Sequence, residues 1–179
     1  MKKIRRINCI AGPCSGKSTT ASHIFSEFKK RNFNIELVSE EVKEWTYIPR
    51  NPQHCDTHYI QSCQIQKEDI RLRAGVGLIV SDSPLILQYF YSYHHDVPLQ
   101  SAILSAALEF ESLYPSIHIF LNRKDKFYNK LGRYEDINEA KEIDKKIKQV
   151  MQWSNIKFVE FSCEEQDKII EYLLEKIEE

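Results

Sequence analysis

Short apolar runs alternate along the whole chain with longer stretches of helical periodicity. The runs that predict strands lie at residues 4–10, 35–39, 78–80, 117–121 and 157–161. The stretches that predict helices lie at residues 17–31, 57–74, 84–93, 99–114, from about 137 through 151, and through 169–177. The unbroken run Leu78-Ile79-Val80 is typical of a strand buried on both faces of a parallel sheet. The alternation therefore predicts an α/β three-layer sandwich with a five-stranded parallel sheet.

The chain shows no internal repeat, no low-complexity tract and no linker, so we expect residues 1–179 to form a single domain. A short helix through residue 45 and a loop over 46–56 are predicted after the second strand. An apolar fraction of 42% with 28% charged residues excludes a disordered or collagen-like chain. No apolar run approaches the roughly 18 residues of a membrane span, and glycines and a lysine interrupt the apolar stretch after the basic start. Neither a membrane anchor nor a signal peptide is expected.

Charge and cysteine content narrow the setting further. The 25 basic and 26 acidic residues give a net charge of −1, which excludes a globally basic nucleic-acid-binding protein but leaves a local basic patch open. The five cysteines are scattered and form no C-x-x-C pair. This pattern argues against a disulfide framework or a structural zinc site, and favours a cytoplasmic protein.

The most informative segment is Ala11-Gly-Pro-Cys-Ser-Gly-Lys-Ser-Thr19, which matches the phosphate-loop pattern G-x-x-x-x-G-K-[ST] except that Ala11 stands at the first glycine. It follows a predicted strand and opens a predicted helix, the context that the pattern requires. Successive backbone N–H groups at a helix N-terminus form an anion cradle, which Gly16 allows to close. Lys17 is expected to reach the β- and γ-phosphates, and Ser18 to bind Mg²⁺. The predicted nucleotide-binding residues are Gly12, Pro13, Cys14, Ser15, Gly16, Lys17, Ser18 and Thr19.

Two classes of nucleotide hydrolase fit poorly. A regulatory GTPase carries D-x-x-G after the third strand and N-K-x-D later, whereas here the third strand ends Ser81-Asp-Ser-Pro84 and residues 122–125 read Asn-Arg-Lys-Asp. A ring or transporter ATPase uses a second acid at the strand end to activate water, but Ser83 follows Asp82. A phosphotransferase fits better, because it needs an acid near the γ-phosphate, an acceptor pocket and a mobile basic lid.

Each of these parts has candidate residues. Asp82 is expected to bind Mg²⁺ through water or to accept the acceptor's proton. Glu40, at the end of the second strand, is the candidate acceptor-positioning group or general base, with Glu41 as the open alternative. A basic segment at about residues 122–136 is the predicted lid, in which Arg123 and Arg133 would neutralise charge on the transferred group.

The middle of the chain is expected to face the acceptor. The candidate contacts, each of which also fits a purely structural role, are Trp45, Tyr47, Gln61, Gln64 and the arginines Arg50, Arg71 and Arg73. Aromatic residues lie on all sides of the helix at 84–93, which predicts either a pocket wall or a partner surface. The triplet His94-His95-Asp96 is followed by no further ligand set and does not predict a zinc site. The loop around Ser162 and Cys163 is the expected location of the adenine.

Taken together, the loop, the acids after strand two, the strand ending Ser-Asp-Ser-Pro and the later Gly132-Arg-Tyr-Glu-Asp resemble one group. It comprises small single-domain P-loop kinases of the ribosylnicotinamide-kinase type, including short ATPase-like proteins common in bacteriophages. The resemblance, from about residue 4 to 177, implies an NTP·Mg²⁺ donor, a nucleoside-like acceptor, and the roles above for Lys17, Ser18, Asp82 and the lid arginines. If the chain is phage-encoded, its location would be the host cytoplasm.

The sequence thus leaves three functions in view. The first is transfer of the ATP γ-phosphoryl group to a nucleoside- or nucleotide-like acceptor. The second is a kinase that acts on a modified base within DNA, which would require a basic groove. The third is a nucleotide-binding ATPase or regulatory module without a small-molecule acceptor. The choice of ATP or GTP and the oligomeric state stay open.

Overall fold

The structure, a computed structural model, describes residues 3–48, 50, 52–124 and 136–178. The strands in these residues are β1 (Arg6–Ile10), β2 (Ile35–Val38), β3 (Leu78–Ser81), β4 (Ser116–Asn122) and β5 (Val159–Ser162). The helices are α1 (Lys17–Lys30), α2 (Asp56–Arg73), α3 (Leu85–His94), α4 (Gln100–Leu113), α5 (Ile137–Trp153) and α6 (Gln166–Glu178), with a short 3₁₀ helix at Val42–Tyr47. None of the described helices is both long and apolar enough to cross a bilayer.

The strands form one parallel sheet in the order β2-β3-β1-β4-β5. Strand β1 lies in the middle, where Asn8 stands opposite Ser81 of β3 on one side and His118 of β4 on the other. The predicted α/β class with a five-stranded parallel sheet is confirmed. Because the carboxyl ends of parallel strands lie at one edge of a sheet, the segments that follow β1, β3 and β4 meet there.

The apolar face of α1 fixes the helix that follows the glycine-rich loop. Ala21, Ile24 and Phe28 recur at helical spacing and are fully buried in the main core. Burying side chains of the size of isoleucine or phenylalanine stabilises a fold by about 1.5–3 kcal/mol each. On its other side the core rests on β1, whose Ile7 and Ile10 are also fully buried. Both ends of the loop are therefore attached to rigid elements.

Element boundaries differ slightly from those predicted. Strand β4 runs past residue 121 to Asn122, because Asn122 pairs with Ser162 of β5. The short helix predicted through residue 45 is a 3₁₀ helix that continues to Tyr47. The Thr46 hydroxyl donates to the Lys43 carbonyl at 2.7 Å and so ties its last turn.

A buried arginine anchors the amino-terminal end of β1. The Arg6 guanidinium donates to Glu68 of α2 at 3.2 Å and to Glu111 of α4 at 2.5 Å. Its Nε donates to the Tyr114 carbonyl at 2.8 Å, and its central carbon lies 4.8 Å from the centre of the Phe110 ring. A buried charge is tolerated where it is paired and hydrogen-bonded, so this cluster fixes α2 and α4 against the sheet.

His118 of β4 borders this cluster and makes stability depend on pH. Burial lowers the pKa of His118 from its ordinary 6.5 to about 4, while the charge of Glu111 opposes this shift and that of Arg6 adds to it. Below pH 6.5 the unfolded chain takes up a proton that the folded protein does not bind until about pH 4. We therefore expect the free energy of unfolding to fall as the pH decreases through this window, with a contribution of about 3 kcal/mol from His118 at its lower end.

Urea unfolding of the wild type and of His118→Gln between pH 6.5 and 4 measures this contribution. Carboxylates titrate in the same window, and comparing the two proteins removes their share. We expect a shallower pH dependence in the variant. The same slope in both proteins would contradict the assignment.

Candidate functional site

The loop between β1 and α1 adopts the shape of an anion cradle. Gly16, the N-cap of α1, has φ +92°, and Cys14 has φ +56°, so the chain turns through left-handed conformations at two positions. Ala11 at the first glycine position is not in that region, and an alanine is accommodated there. Because Gly16 has no side chain to cap the helix, the first backbone N–H groups of α1 face the loop.

Polar side chains close the loop on itself. The Ser15 hydroxyl donates to the Gly12 carbonyl at 2.9 Å, and the Lys17 ammonium donates to the same oxygen at 2.7 Å. Lys17 is the first residue of α1, and its side chain lines a cavity above the loop. An ammonium group beside a helix N-terminus makes this place attractive to anions.

Asp82, directly after β3, lies against the loop. Its carboxylate accepts a hydrogen bond from the Ser18 hydroxyl at 2.5 Å, and the residue is 6% exposed. The second oxygen, Oδ1, is buried and has no hydrogen-bond partner among the described atoms. A hydroxyl beside a carboxylate with an oxygen to spare is the oxygen donor set that Mg²⁺ prefers. The predicted metal residues Ser18 and Asp82 thus lie together and fit the ion.

The cavity above the loop has a volume of about 570 Å³, large enough to hold more than a phosphate group. Its walls come from the glycine-rich loop, the 3₁₀ helix, the start of α2, and the middle and C-terminal end of α3. The lining residues are Pro13, Cys14, Ser15, Gly16, Lys17, Ser18, Thr19, Glu40, Val42, Lys43, Thr46, Pro52, Thr57, Ile60, Gln88, Tyr91 and His95. The predicted loop residues from Pro13 to Thr19 are therefore brought together around one space.

The two acids after β2 have different surroundings. Glu40 lines the cavity, whereas the Glu41 carboxylate forms an ion pair with Lys67 of α2 at 2.6 Å. The sequence left open whether Glu40 or Glu41 lies beside the acceptor. The ion pair favours Glu40, because Lys67 holds the Glu41 carboxylate at the surface of α2. The acid that faces the cavity is Glu40.

Several residues expected near an acceptor have structural contacts instead. Gln61 donates to the Ile103 carbonyl at 2.8 Å, and Gln64 donates to Glu68 at 2.7 Å and to Ser81 at 3.1 Å, all within the protein interior. Trp45 is 6% exposed and is covered by the Arg50 guanidinium, 3.5 Å from the ring centre. On α2, Arg71 donates to the Lys67 carbonyl at 2.7 Å and Arg73 pairs with Asp69 at 2.8 Å.

Helix α3 supplies the far wall of the cavity. Tyr91 and His95 both line it, and their rings stack with centres 6.2 Å apart. Gln88, one turn earlier, also lines it and donates to the Ser83 hydroxyl at 3.1 Å. Of the two predictions for the aromatic helix, the pocket wall applies to Tyr91. Among the described residues no cluster of three or more metal-binding side chains is found.

Only part of the predicted lid lies within the described residues. Residues 125–135, which include Arg133, lie outside the described residues. Arg123 is described and turns towards the back of the loop: it donates to Asp144 of α5, to the Pro13 carbonyl at 3.0 Å and to the Ala140 carbonyl at 3.1 Å. The sequence did not identify Asp144 as a site residue. The one feature that could have indicated it is its position on α5, one turn from Ala140 and therefore near the buried face of that helix.

The segment after β5 packs against the start of α1. A Cβ atom at Gly16 would lie 3.3 Å from the Cβ of Cys163, and the Gln166 amide donates to Thr20 at 2.8 Å. This segment, predicted to be near the adenine, therefore borders the loop. The adenine contact itself stays a prediction.

Solved structures share this fold at low sequence identity. Thymidylate kinase from Ehrlichia chaffeensis matches with a TM-score of 0.67 and 10% identity, over 99% of this chain and 100% of that chain. The YorR protein from Bacillus subtilis, solved in complex with phosphorylated GDP, matches with a TM-score of 0.57 and 14% identity, over 97% of this chain and 95% of that chain. The chain therefore has the P-loop fold of these proteins.

The sequence itself also matches a known family. No curated protein shows significant sequence similarity to the chain. A family model described as an AAA domain, AAA_28, matches residues 6–168, from the first residue of β1 into α6. Since this match covers most of the sequence and includes the glycine-rich loop, the chain belongs to the AAA_28 family.

Proposed function

We propose that the protein transfers the γ-phosphoryl group of ATP·Mg²⁺ to a nucleoside- or nucleotide-like acceptor. The observation that carries the proposal is the contact between Ser18, which lines a cavity that also reaches Glu40 and Tyr91, and the buried Asp82 behind it. One oxygen of the Asp82 carboxylate has no hydrogen-bond partner among the described atoms. Such a cavity has room for a donor's phosphates and for a second molecule beyond them.

The loop would hold the donor. Its backbone N–H groups and the N-terminus of α1 attract the phosphates, and the Lys17 ammonium would exchange its contact with the Gly12 carbonyl for the β- and γ-phosphate oxygens. This exchange places a positive charge where negative charge spreads during transfer. Stabilisation of that charge is the main way in which a protein accelerates phosphoryl transfer.

Mg²⁺ would be held by Ser18 and Asp82. When bound, the ion neutralises charge on the β- and γ-phosphate oxygens. Asp82 is well suited to this role, because its buried carboxylate already orients the Ser18 hydroxyl and keeps Oδ1 available.

The acceptor would lie between Glu40 and α3. Glu40 would accept the proton of an acceptor hydroxyl while the acceptor oxygen bonds to the γ-phosphorus and the bond to the β–γ bridging oxygen breaks, leaving ADP. Tyr91 and His95, stacked on the far wall, offer flat surfaces for an aromatic ring.

The lid role of Arg133 stays a prediction. The kinase-like fold of the solved relatives supports this assignment, and the narrower resemblance to ribosylnicotinamide kinases remains part of the proposal.

The family's description as an AAA domain favours a second candidate, a nucleotide-binding module that turns over ATP slowly and without an acceptor. Both candidates share the loop, Lys17 and the metal residues. They differ in the use of the far half of the cavity, since only a kinase needs an acceptor between Glu40 and Tyr91.

Incubation with γ-labelled ATP and a panel of nucleosides, mononucleotides and DNA distinguishes them. We expect label on a nucleoside- or nucleotide-like acceptor, and ADP release that depends on it. Label on DNA would support a kinase acting on a modified base. Binding of ATP without acceptor-dependent release across the panel would favour the module and contradict the proposed transfer.

A further inference from the structure

An acid of α5 holds the backbone of the phosphate loop from behind. One oxygen of Asp144 accepts a hydrogen bond from the Gly12 N–H at 2.6 Å, and the other accepts from the Arg123 Nε. Gly12 and Asp144 are far apart in the sequence, and Arg123 follows β4. We call Asp144 and Arg123 the loop clamp. It joins the loop after β1, the end of β4 and α5.

Arg123 uses all parts of its guanidinium in this arrangement. Besides Asp144, it donates to the Pro13 carbonyl at 3.0 Å and to the Ala140 carbonyl at 3.1 Å. Its side chain is 7% exposed, and that of Asp144 is 14% exposed. Little water reaches these side chains, so the three hydrogen bonds fix the Arg123 guanidinium firmly. Removing the charge of either Arg123 or Asp144 would leave the other charge buried without its partner.

The packing around Gly12 shows how closely α5 approaches the loop. A Cβ atom at this position would lie 2.7 Å from Asp144 Oδ1, and 3.0 Å from both the Ala140 carbonyl and an Arg123 nitrogen. The absence of a side chain at Gly12 allows the loop clamp to approach the backbone closely. The Gly12 N–H donates to Asp144 and so points away from the anion cradle.

The clamp also bears on the orientation of Lys17. The Gly12 N–H is held by Asp144, while the Gly12 carbonyl accepts from the Lys17 ammonium and the Ser15 hydroxyl. Arg123 fixes the next carbonyl, that of Pro13. The peptide groups on both sides of Gly12 are therefore fixed, and with them the entry of the loop from which Lys17 reaches the phosphates.

We propose that Asp144 is a positioning residue of the phosphate loop, which it acts on through Arg123 and the Gly12 peptide, and that Arg123 shapes the loop rather than contacting the transferred phosphoryl group. The inference rests on the proposed function, because it requires that the loop binds ATP·Mg²⁺. It assigns to Arg123 a different task from the lid role that the sequence predicted.

Calorimetric binding of ATP·Mg²⁺ and steady-state kinetics test the clamp in Asp144→Ala, Asp144→Asn and Arg123→Lys. The matched control is Glu142→Gln, an exposed acid of the same helix that pairs with Lys145. We expect Kd and the KM for ATP to rise about ten- to a hundredfold in Asp144→Ala, with kcat at saturating ATP little changed. Asp144→Asn retains an acceptor for the Gly12 N–H and should lose less, and the control should bind as the wild type does. The double variant Asp144→Ala/Arg123→Lys should be no weaker than the poorer single variant.

Several outcomes would overturn the clamp. Wild-type Kd and KM in the Asp144 variants would remove its basis. A loss of kcat without a change of Kd in Arg123→Lys would make Arg123 a catalytic residue. If Asp144→Ala does not fold, Asp144→Asn, which is of the same size, carries the test. A wild-type protein that binds no ATP·Mg²⁺ would instead overturn the proposed function, so the two failures are separate.

Discussion

Replacing Lys17 with alanine is expected to lower kcat for phosphoryl transfer by about 10²–10³-fold while the protein stays folded. The ammonium group lies in the loop, 2.7 Å from the Gly12 carbonyl, and would be the group that meets charge developing on the γ-phosphate. Alanine is the strongest helix former, and Lys17 starts α1, so the free energy of unfolding should change by no more than about 1 kcal/mol. Acceptor-dependent ADP release and thermal unfolding measure the two effects.

Lys30→Ala is the matched control for this variant. It removes the same charge from the same helix, at an exposed position in the last turn that is paired with Glu27. We expect its kcat to equal that of the wild type. Turnover at the wild-type rate in Lys17→Ala would remove the loop from the chemistry.

Replacing Asp82 with asparagine should separate activity from stability. The variant keeps an oxygen that accepts from Ser18 but loses the charge, so we expect the Mg²⁺ concentration at half-maximal activity to rise about 10–100-fold. Asp82 is 6% exposed and its Oδ1 is unpartnered within the described structure, so the charge is expensive to bury. Its removal should therefore leave the unfolding temperature unchanged or raise it.

Mg²⁺ titration of ADP release and a melting curve test this pair of effects. Asp167→Asn, the same substitution at an exposed position in the first turn of α6, is the control and should change neither. An unaltered Mg²⁺ requirement in Asp82→Asn would exclude Asp82 from the metal site. A large loss of stability would show that its charge supports the fold.

The fold was predictable because its signals are local. The run at Leu78–Val80 indicated a strand buried on both faces. All four residues of β3 are buried, and the strand pairs with β1 on one side and β2 on the other. The helix stripe with Ile143 and Ile147 likewise marked α5, whose buried face contains both. Strand order was not visible in this way, since it depends on contacts between distant segments.

The site was predictable only in its contiguous part. The glycine-rich loop and Asp82 follow from short patterns at strand ends, and the structure joins them. The sequence could not show that Glu41 pairs with Lys67 while Glu40 lines the cavity, because Lys67 lies on another helix. Asp144 was missed for the same reason: its partner, Gly12, comes close only when α5 packs against the loop.

The crowding at Gly12 bears on how distant members of this group can be recognised. A pattern scan that demands glycine at the first position of the loop discards this chain, although Ala11 is fully buried there and does not adopt a positive φ. Here the position that requires glycine is the next one, Gly12, because a Cβ atom there would lie 2.7 Å from the Asp144 carboxylate of α5. A search that pairs glycine at the second place with an acid on the inward side of the helix after the basic segment would retrieve sequences built around the same contact.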